Sequence, residues 1–193
     1  QTNHLYWAVA TRQAQTAKRE HWRGTEADCT WLFGVNLDVD VFSKIAHRAG
    51  NLPPTTEDGL ALIHSLIIQP TVIIGSGYGL QAIYLFKELE RLIEAQERII
   101  AKDIGRRLHR HALSMTKYHV DSTFNLDRVL RIPGTDNWKD LSHPVIATLL
   151  EIDGPRYSGI EAFLDKLPEI EGGSAEIGDE IKSFDIENGE FMN

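Results

Sequence analysis

The chain has 193 residues, of which 42% are hydrophobic and 25% are charged, as is usual for a globular domain. Its net charge of −8 is unevenly spread, because residues 151–193 hold 12 acidic and 3 basic side chains while the first 150 residues are nearly neutral. The overall acidity therefore does not exclude a polyanionic partner for the main body. The single cysteine, Cys29, excludes an internal disulfide, and no signal-peptide pattern is present, so we expect a cytoplasmic protein.

Apolar patterns in the first half of the chain predict strands alternating with helices. In chain order, we predict a strand at 4–10, a loop or short helix at 11–28, a strand at 31–42, a short helix at 43–50, a helix at 57–68 with Thr55 or Thr56 as its N-cap, and strands at 71–74 and 80–86. Residues 59–86 contain no Asp, Glu, Lys or Arg, but Pro70, glycines and polar side chains interrupt the stretch. We therefore expect it to be buried in the protein and not to span a membrane.

The second half begins with the longest predicted helix, 87–113, whose apolar stripe includes Leu89. We then predict a strand or loop at 118–121, a strand at 128–132, a strand or helix at 145–152, and a helix to about 167 opened by a capping box from Ser158 to Glu161. Residues from 172 onward are rich in Gly, Glu and Asp. The prediction is an α+β domain with a mixed sheet over 1–170, followed by an acidic tail or linker at 171–193.

Two acids, Asp38 and Asp40, lie two residues apart in an apolar, β-branched segment. Since side chains alternate along a strand, both acids point to one face and their apolar neighbours point to the other. Adjacent carboxylates repel each other and are costly to bury, and a cation between them removes both penalties. The pair is therefore either a site for a hard cation such as Mg²⁺ or Mn²⁺ or an exposed pair on a sheet edge.

The segment from Gly75 to Gly79 places three glycines around Ser76, between two predicted strands. Glycines let a ligand approach backbone N–H groups closely, as phosphate-binding loops do. The segment is not a P-loop, because no Lys-Ser/Thr pair follows and no helix begins there. Its residues alone are compatible with a plain glycine-rich hairpin or with a phosphate cradle.

A third segment, 128–139, reads Arg-Val-Leu-Arg-Ile-Pro-Gly-Thr-Asp-Asn-Trp-Lys and combines a strand with a Pro-Gly turn. Arg131, Asn137 and Lys139 bring hydrogen-bond donors to that turn, which suits anionic oxygens. A basic strand end at the surface would explain the charges, but it would not explain the specific turn.

Taken in this order, the three motifs resemble those of the primase-polymerases of the archaeo-eukaryotic primase superfamily, and above all those of bacteriophage and plasmid replication proteins. The matched motifs span Leu37 to Lys139. The resemblance implies a DNA primase or DNA polymerase that copies a template from nucleoside triphosphates with two divalent metal ions. It also implies an RRM-like catalytic sheet with a smaller N-terminal α/β unit, and, if the protein is phage-encoded, the cytoplasm of a bacterial host.

The resemblance further implies roles for individual residues. Asp38, Asp40 and Asp121 would bind the metal ions and serve as the catalytic acids, with Asp127 as the alternative third acid. The incoming nucleotide would be bound by residues of the second and third motifs: Ser76, Gly77, Gln81, Arg131, Asn137 and Lys139. Many family members have His at the position of Gln81, and glutamine can donate a hydrogen bond but carries neither charge nor a transferable proton.

A single-stranded DNA template would lie on basic and aromatic surface. The candidates are Arg106, Arg107, Arg110 and Lys117, with Trp22 or Trp138 as stacking platforms. Basic residues near a helix C-terminus also suit the helix dipole, which explains the cluster equally well. Because family members are often fused to a helicase, the C-terminal segment is a candidate linker to a helicase domain or to another replication protein.

Two other functions stay open at the level of the sequence. A rolling-circle nuclease would use paired histidines, which His109 and His111 offer superficially, although residues two apart do not share a helix face. A catalytically silent module that binds nucleotides or single-stranded nucleic acid would keep the fold without the reaction. The intact acid pair favours an enzyme, whereas the substitution at Gln81 is an argument for the silent module.

Overall fold

The computed structural model describes residues 5–12, 24–47, 51–168, 184–185 and 190–191. Its strands are β1 (Tyr6–Ala8), β2 (Ala10–Arg12), β3 (Cys29–Asp40), β4 (Val72–Gly75), β5 (Gly79–Arg91), β6 (Val129–Arg131), β7 (Asp136–Asn137), β8 (Val145–Ile146), β9 (Thr148–Glu151), β10 (Phe184–Asp185) and β11 (Glu190–Phe191). Its helices are α1 (Thr56–Ser65), α2 (Ala95–Met115) and α3 (Ile160–Leu164), and a 3₁₀ helix covers Glu26–Asp28. Within the described residues, no helix is long and apolar enough to cross a bilayer.

Five strands form one antiparallel sheet in the order β2-β3-β5-β4-β9. The most extensive pairing joins β3 to β5, in a register that sets Asp38 opposite Gln81 and Asp40 opposite Gly79. The run β3-α1-β4-β5-α2 has the strand-helix-strand-strand-helix order of an RRM-like sheet. The predicted α+β class is therefore confirmed.

The helices cover one face of this sheet. Leu37 and Val39 of β3 are buried there, in a cluster that includes Ile63 of α1 and Ile104 and Leu108 of α2. In the second half of β3 the odd-numbered positions thus build the core, as the alternation predicts, and burial of these side chains is the main source of stability for the sheet. A register shift between Leu32 and Gly34 reverses the alternation in the first half, where Leu32 is buried and Trp31 is exposed.

The opposite face of the sheet carries the acids. Because neighbours along a strand point in opposite directions, Asp38 and Asp40 face away from the helices. On this side β6 pairs with β1 in a separate two-stranded sheet, and Leu130 of β6 packs against Ile74 and Ile83 of the main sheet. This small apolar cluster fixes the Arg-rich strand beside the acid pair.

The helix predicted at 57–68 is confirmed as α1, but it ends at Ser65, three residues earlier than predicted. Thr55 is its N-cap, since the threonine hydroxyl accepts a hydrogen bond of 3.1 Å from the backbone N–H of Asp58.

The predicted start of the long helix is wrong. Residues 87–91 belong to β5, which reaches Arg91 opposite Trp31, and α2 begins only at Ala95. β3 is 12 residues long, and pairing its first half requires a partner strand of similar length, so β-pairing overrides the helical spacing. Leu89, assigned to the helix stripe from the sequence, is consequently half exposed on the strand.

Three shorter predictions also need correction. Residues 43–47 form a turn closed by paired backbone bonds between Ser43 and His47, and not the start of a helix. The strands predicted at 4–10 and 145–152 each break into two, because each segment leaves one neighbouring strand and joins another.

The capping box predicted at the start of the last helix is absent. α3 follows Gly159, and the carboxylate of Glu90 in β5 accepts the hydrogen bond from the backbone N–H of Ile160 at 3.0 Å. Glu90, which is distant in the sequence, therefore caps the helix in place of the predicted Ser158.

Some predicted features lie outside the described residues. These are most of the 11–28 loop with Trp22, the end of the 43–50 segment, and the predicted tail 171–193 apart from β10 and β11, which pair with each other.

Candidate active site

A cleft of about 500 Å³ opens beside the acid-bearing face of the sheet. It is lined by eight of the nine residues predicted for metal and nucleotide binding: Asp38, Asp40, Asp121, Ser76, Gln81, Arg131, Asn137 and Lys139. We call Asp38, Asp40 and Asp121 the acid half of the cleft, and Ser76, Arg131, Asn137 and Lys139 its donor half. The fold thus gathers into one place side chains that are up to about a hundred positions apart in the sequence.

In the acid half, Asp38 is bound by an arginine. Nη2 of Arg128 donates to Oδ2 of Asp38 at 2.8 Å, and the aspartate side chain is only 15% exposed. Burial raises the pKa of Asp38 because it disfavours the charged form, while the guanidinium of Arg128 opposes the rise.

Asp40 is less buried and is bound by an imidazole. Its Oδ2 lies 2.9 Å from Nδ1 of His47. Burial first, and then repulsion from Asp38 and Asp121, raise the pKa of Asp40 to about 6. Burial also lowers the pKa of His47, and the neighbouring charge of Lys139 adds to that decrease. The acid half therefore holds more negative charge than its surroundings readily stabilise.

The third acid in the cleft is Asp121, whereas Asp127 is not among the lining residues. Asp121 lies 3.1 Å from Nε2 of His119 in an exposed pair. Its loop is tied down by Asn51, which adopts the left-handed backbone conformation (φ 72°) and accepts a hydrogen bond of 2.7 Å from the N–H of His119. The arrangement favours Asp121 over Asp127 as the partner of the acid pair.

In the donor half, the buried side chain of Asn137 is a hub. Its Nδ2 donates to the carbonyl of Ser76 at 2.7 Å, and its Oδ1 accepts from Nη2 of Arg131 at 2.8 Å and from the N–H of Lys139 at 3.1 Å. Asn137 therefore joins the second motif to the third, and its amide is already satisfied by protein partners.

The glycine turn forms the wall between the cleft and a neighbouring apolar groove. Both the N–H and the hydroxyl of Ser76 donate to the carbonyl of Gly79, at 2.8 and 3.1 Å. Gly77, the ninth predicted residue, has φ +98° and lines the groove, where an added Cβ would contact Val145 at 3.1 Å. Backbone geometry and lack of space both explain the glycine.

The side chain of Gln81 contacts one residue of each half of the cleft. Its Oε1 accepts a hydrogen bond of 3.0 Å from the backbone N–H of Arg131, and its side chain also bonds to Asp38. It is 5% exposed. In this chain the glutamine therefore links Arg131 of β6 to Asp38 of β3.

The donor set suits a hard divalent cation in kind, since it consists of carboxylate oxygens. The two most buried carboxylates have raised pKa values, and a cation beside them would relieve that cost. However, among the described residues no group of three or more His, Cys, Asp or Glu side chains is arranged to hold a metal ion. Arg128 and His47 bind the acids at those positions, so a cation at Asp38 would compete with Arg128 for the carboxylate.

The basic residues predicted to bind the template do not line the cleft. Arg106, Arg107 and Arg110 lie on α2, which packs on the other face of the sheet. Arg107 is paired with Asp103 at 2.9 Å, and the Arg106 guanidinium lies 5.4 Å from the ring centroid of Phe124. Lys117 follows α2, 5.8 Å from the ring centroid of Tyr118. Trp138, by contrast, lines the cleft.

The paired histidines of the rival nuclease are engaged separately. Nε2 of His111 accepts from the backbone N–H of Ile67 at 3.1 Å, and Nε2 of His109 lies 2.9 Å from the carbonyl of Val120. Each histidine thus anchors a different loop to α2, which is a structural role.

Five residues that line the cleft were not predicted as site residues: Tyr6, His47, Tyr78, Arg128 and Val129. Arg128 contacts an acid 90 positions away, and His47 lies within a segment predicted as a helix. Tyr6 has the Arg131 guanidinium 4.7 Å from its ring centroid, a contact that depends on the pairing of β1 with β6. No local pattern predicts any of these contacts.

No protein-family model and no curated protein matches this chain. A comparison with solved structures finds the archaeo-eukaryotic primase (AEP) domain of the primase-polymerase from cyanophage S-2L, with a TM-score of 0.58 and 15% sequence identity. The match covers 84% of this chain and 69% of that domain. The chain therefore has an AEP-type fold.

Proposed function

We propose that this chain is a template-directed nucleotidyltransferase of the primase-polymerase type, a DNA primase or DNA polymerase that uses Mg²⁺ or Mn²⁺ and nucleoside triphosphates. The observation that supports it best is the meeting of an acid half and a donor half in one cleft, on an AEP-type fold. Nucleotidyl transfer needs anions that hold divalent metal next to cations that hold phosphate, because positioning and charge stabilisation dominate such reactions.

Each half has a distinct task in this proposal. Arg131 and Lys139 bind and orient the triphosphate, and Asn137 fixes the guanidinium of Arg131 in place. Asp38, Asp40 and Asp121 would hold divalent ions, which supply neutralisation of the leaving pyrophosphate and a lower pKa for the attacking hydroxyl. Trp138, at the cleft, is a candidate platform for a nucleobase.

The proposed partners are a single-stranded DNA template and NTP or dNTP substrates. A phage or plasmid replication protein with an attached helicase domain is the context that the motif resemblance suggests. Arg106, Arg107 and Arg110 of α2, with Lys117, are a second proposed contact for the template, outside the cleft. They would attract the phosphates of the DNA by charge, without recognising its bases.

A second candidate is a catalytically silent nucleotide-binding module. The observation in its favour is the ion pair of Arg128 with Asp38, which neutralises the acid with a side chain where an enzyme would use a cation. Under this alternative, the donor half would bind triphosphate while the acid half had only a structural role.

Primer extension on single-stranded DNA decides between them. The chain is incubated with a primed template, dNTPs or NTPs, and Mg²⁺, Mn²⁺ or EDTA, and the products are sized and sequenced. We expect metal-dependent addition of nucleotides complementary to the template, abolished by Asp38→Ala with Asp40→Ala. An unprimed template in parallel reports whether strands begin de novo.

Two results would contradict the proposal. Robust incorporation by the double variant would remove the acids from the mechanism. Nucleotide binding without incorporation in any metal would favour the silent module.

A further inference from the structure

His47 lies between the two halves of the cleft. Its Nδ1 is 2.9 Å from Oδ2 of Asp40, and its Nε2 is 2.8 Å from Nζ of Lys139. A lysine ammonium only donates hydrogen bonds, so Nε2 is the acceptor and the ring proton is on Nδ1, where it donates to the carboxylate. A single neutral imidazole thus satisfies an anion on one side and a cation on the other.

The backbone holds His47 in this place. Ser43 and His47 exchange two backbone hydrogen bonds of 3.0 and 3.2 Å, and the hydroxyl of Ser43 accepts from the N–H groups of Ile45 and Ala46. The turn therefore returns the chain to the end of β3, beside Asp40. The histidine side chain is 18% exposed, so its orientation is restricted by its neighbours.

We propose that His47 is a positioning residue that couples the halves of the cleft, by aiming the carboxylate of Asp40 at the divalent cation and the ammonium of Lys139 at the triphosphate. This inference rests on the proposed function. A free lysine samples many rotamers, and fixing it before the ligand arrives removes an entropic cost from binding. Partners that orient a metal-binding carboxylate commonly change metal affinity by about 10–100-fold when they are removed.

Two substitutions separate the contacts of His47. The amide nitrogen of asparagine takes roughly the place of Nδ1, so His47→Asn keeps a donor for Asp40 and loses the acceptor for Lys139. The amide of glutamine reaches the place of Nε2, so His47→Gln keeps an acceptor for Lys139 and loses the donor for Asp40. Mn²⁺ affinity is measured by electron paramagnetic resonance, and metal-free dATP affinity by calorimetry.

We expect the two variants to fail in opposite ways. His47→Asn should keep Mn²⁺ affinity within about twofold and lose about tenfold in dATP affinity, whereas His47→Gln should lose about tenfold or more in Mn²⁺ affinity and keep dATP affinity. The matched controls are His64→Asn and His64→Gln. His64 also contacts an acid, Glu151 at 2.9 Å, but lies outside the cleft, so neither affinity should change.

A measurement on the unsubstituted chain covers the case in which a variant does not fold. Nitrogen-15 NMR of the imidazole should show the Nδ1–H tautomer for His47, and an Nε2–H tautomer would overturn the inference. Equal losses of both affinities in both variants, or no loss in either, would also overturn it.

The inference and the proposed function can fail separately. If the wild-type chain incorporates nucleotide while the variants behave alike, the inference alone is wrong. If the wild-type chain binds neither Mn²⁺ nor dATP, both are wrong.

Discussion

The two halves of the cleft are stabilised in different ways. In the donor half, the buried amide of Asn137 bonds to the carbonyl of Ser76, to Arg131 and to the backbone of Lys139, so its polar groups are satisfied by the protein. In the acid half, burial raises the pKa of Asp38 and of Asp40, and the positive charges of Arg128 and Lys139 offset these increases only in part. The donor half is therefore preorganised, whereas the acid half is stabilised incompletely.

This difference indicates what each half requires from a ligand. A preorganised donor half can bind an anion without rearranging, because its side chains are already oriented. An acid half with raised pKa values gains from a cation, since a cation removes the repulsion between its carboxylates. The predictions below test the contrast, from the largest expected effect to the smallest.

Arg131→Ala should have the largest effect on the donor half. The substitution removes the guanidinium that Asn137 orients, and a hydrogen-bonded charge of this kind contributes about 10–100-fold to binding. We expect the KM for the nucleoside triphosphate to rise by about that factor, measured by steady-state primer extension. Arg131→Lys should restore only part of the affinity, because lysine lacks the planar guanidinium that donates two parallel hydrogen bonds. An unchanged KM in the alanine variant would show that Arg131 does not bind the substrate.

Asn137→Ala should destabilise the fold. The buried amide makes three hydrogen bonds, and leaving their partners unsatisfied costs about 2 kcal/mol. Urea denaturation should show this loss in the free energy of unfolding. Asp136→Ala, at the exposed neighbouring position, is the control and should change little. Equal free energies of unfolding for the two variants would show that the hydrogen bonds of Asn137 do not stabilise the fold.

Asp40→Asn should have the opposite sign and stabilise the metal-free chain. The folded-state pKa of about 6 lies above the ordinary value of 3.8, so the folded state binds the proton more tightly than the unfolded state. The contribution of Asp40 to stability is therefore lowest above pH 6 and rises as the pH falls from about 7 towards 4. Because the group is partly exposed, the gain from Asn at pH 7.5 is about 1 kcal/mol.

Asp140→Asn is the control for the predicted gain in stability of Asp40→Asn. Hydrogen bonding from the N–H of Ser142 lowers the pKa of Asp140, so removing its charge should not stabilise the chain. If thermal denaturation shows that Asp40→Asn destabilises the metal-free chain at pH 7.5, the acid half is already well stabilised and the contrast with the donor half is lost.

The smallest effect is expected on α2, outside the cleft. Arg106→Ala with Arg110→Ala removes two charges from the helical side of the sheet, outside the lining of the cleft. We expect the affinity for single-stranded DNA to fall by about twofold at 0.15 M salt, since charges outside the cleft act only through screened attraction. A loss of tenfold or more in fluorescence anisotropy would instead make α2 a main template contact.

The parts of the fold that could be predicted from the sequence are those that depend on near neighbours. Alternation around Asp38 and Asp40 predicts which face of β3 is buried, and the Thr55 cap predicts the start of α1. The motif order also predicts eight of the residues that line the cleft.

The parts that could not be predicted depend on distant partners. The strand β5 continues to Arg91 because Glu90 and Arg91 pair with Leu32 and Trp31 of β3, and the helix after Gly159 is capped by Glu90. The contact of Arg128 with Asp38 likewise follows from the position of β6 across the sheet. Local propensity carries no information on such partners.

The most direct test of the account combines two properties of a single variant. Asp38→Asn with Asp40→Asn keeps the shape of both side chains and removes their charge. We predict that template-directed incorporation with Mn²⁺ disappears while the metal-free melting temperature at pH 7.5 stays the same or rises. Incorporation at the wild-type rate by this stable variant would contradict the central claim that the acid half exists to bind metal for nucleotidyl transfer.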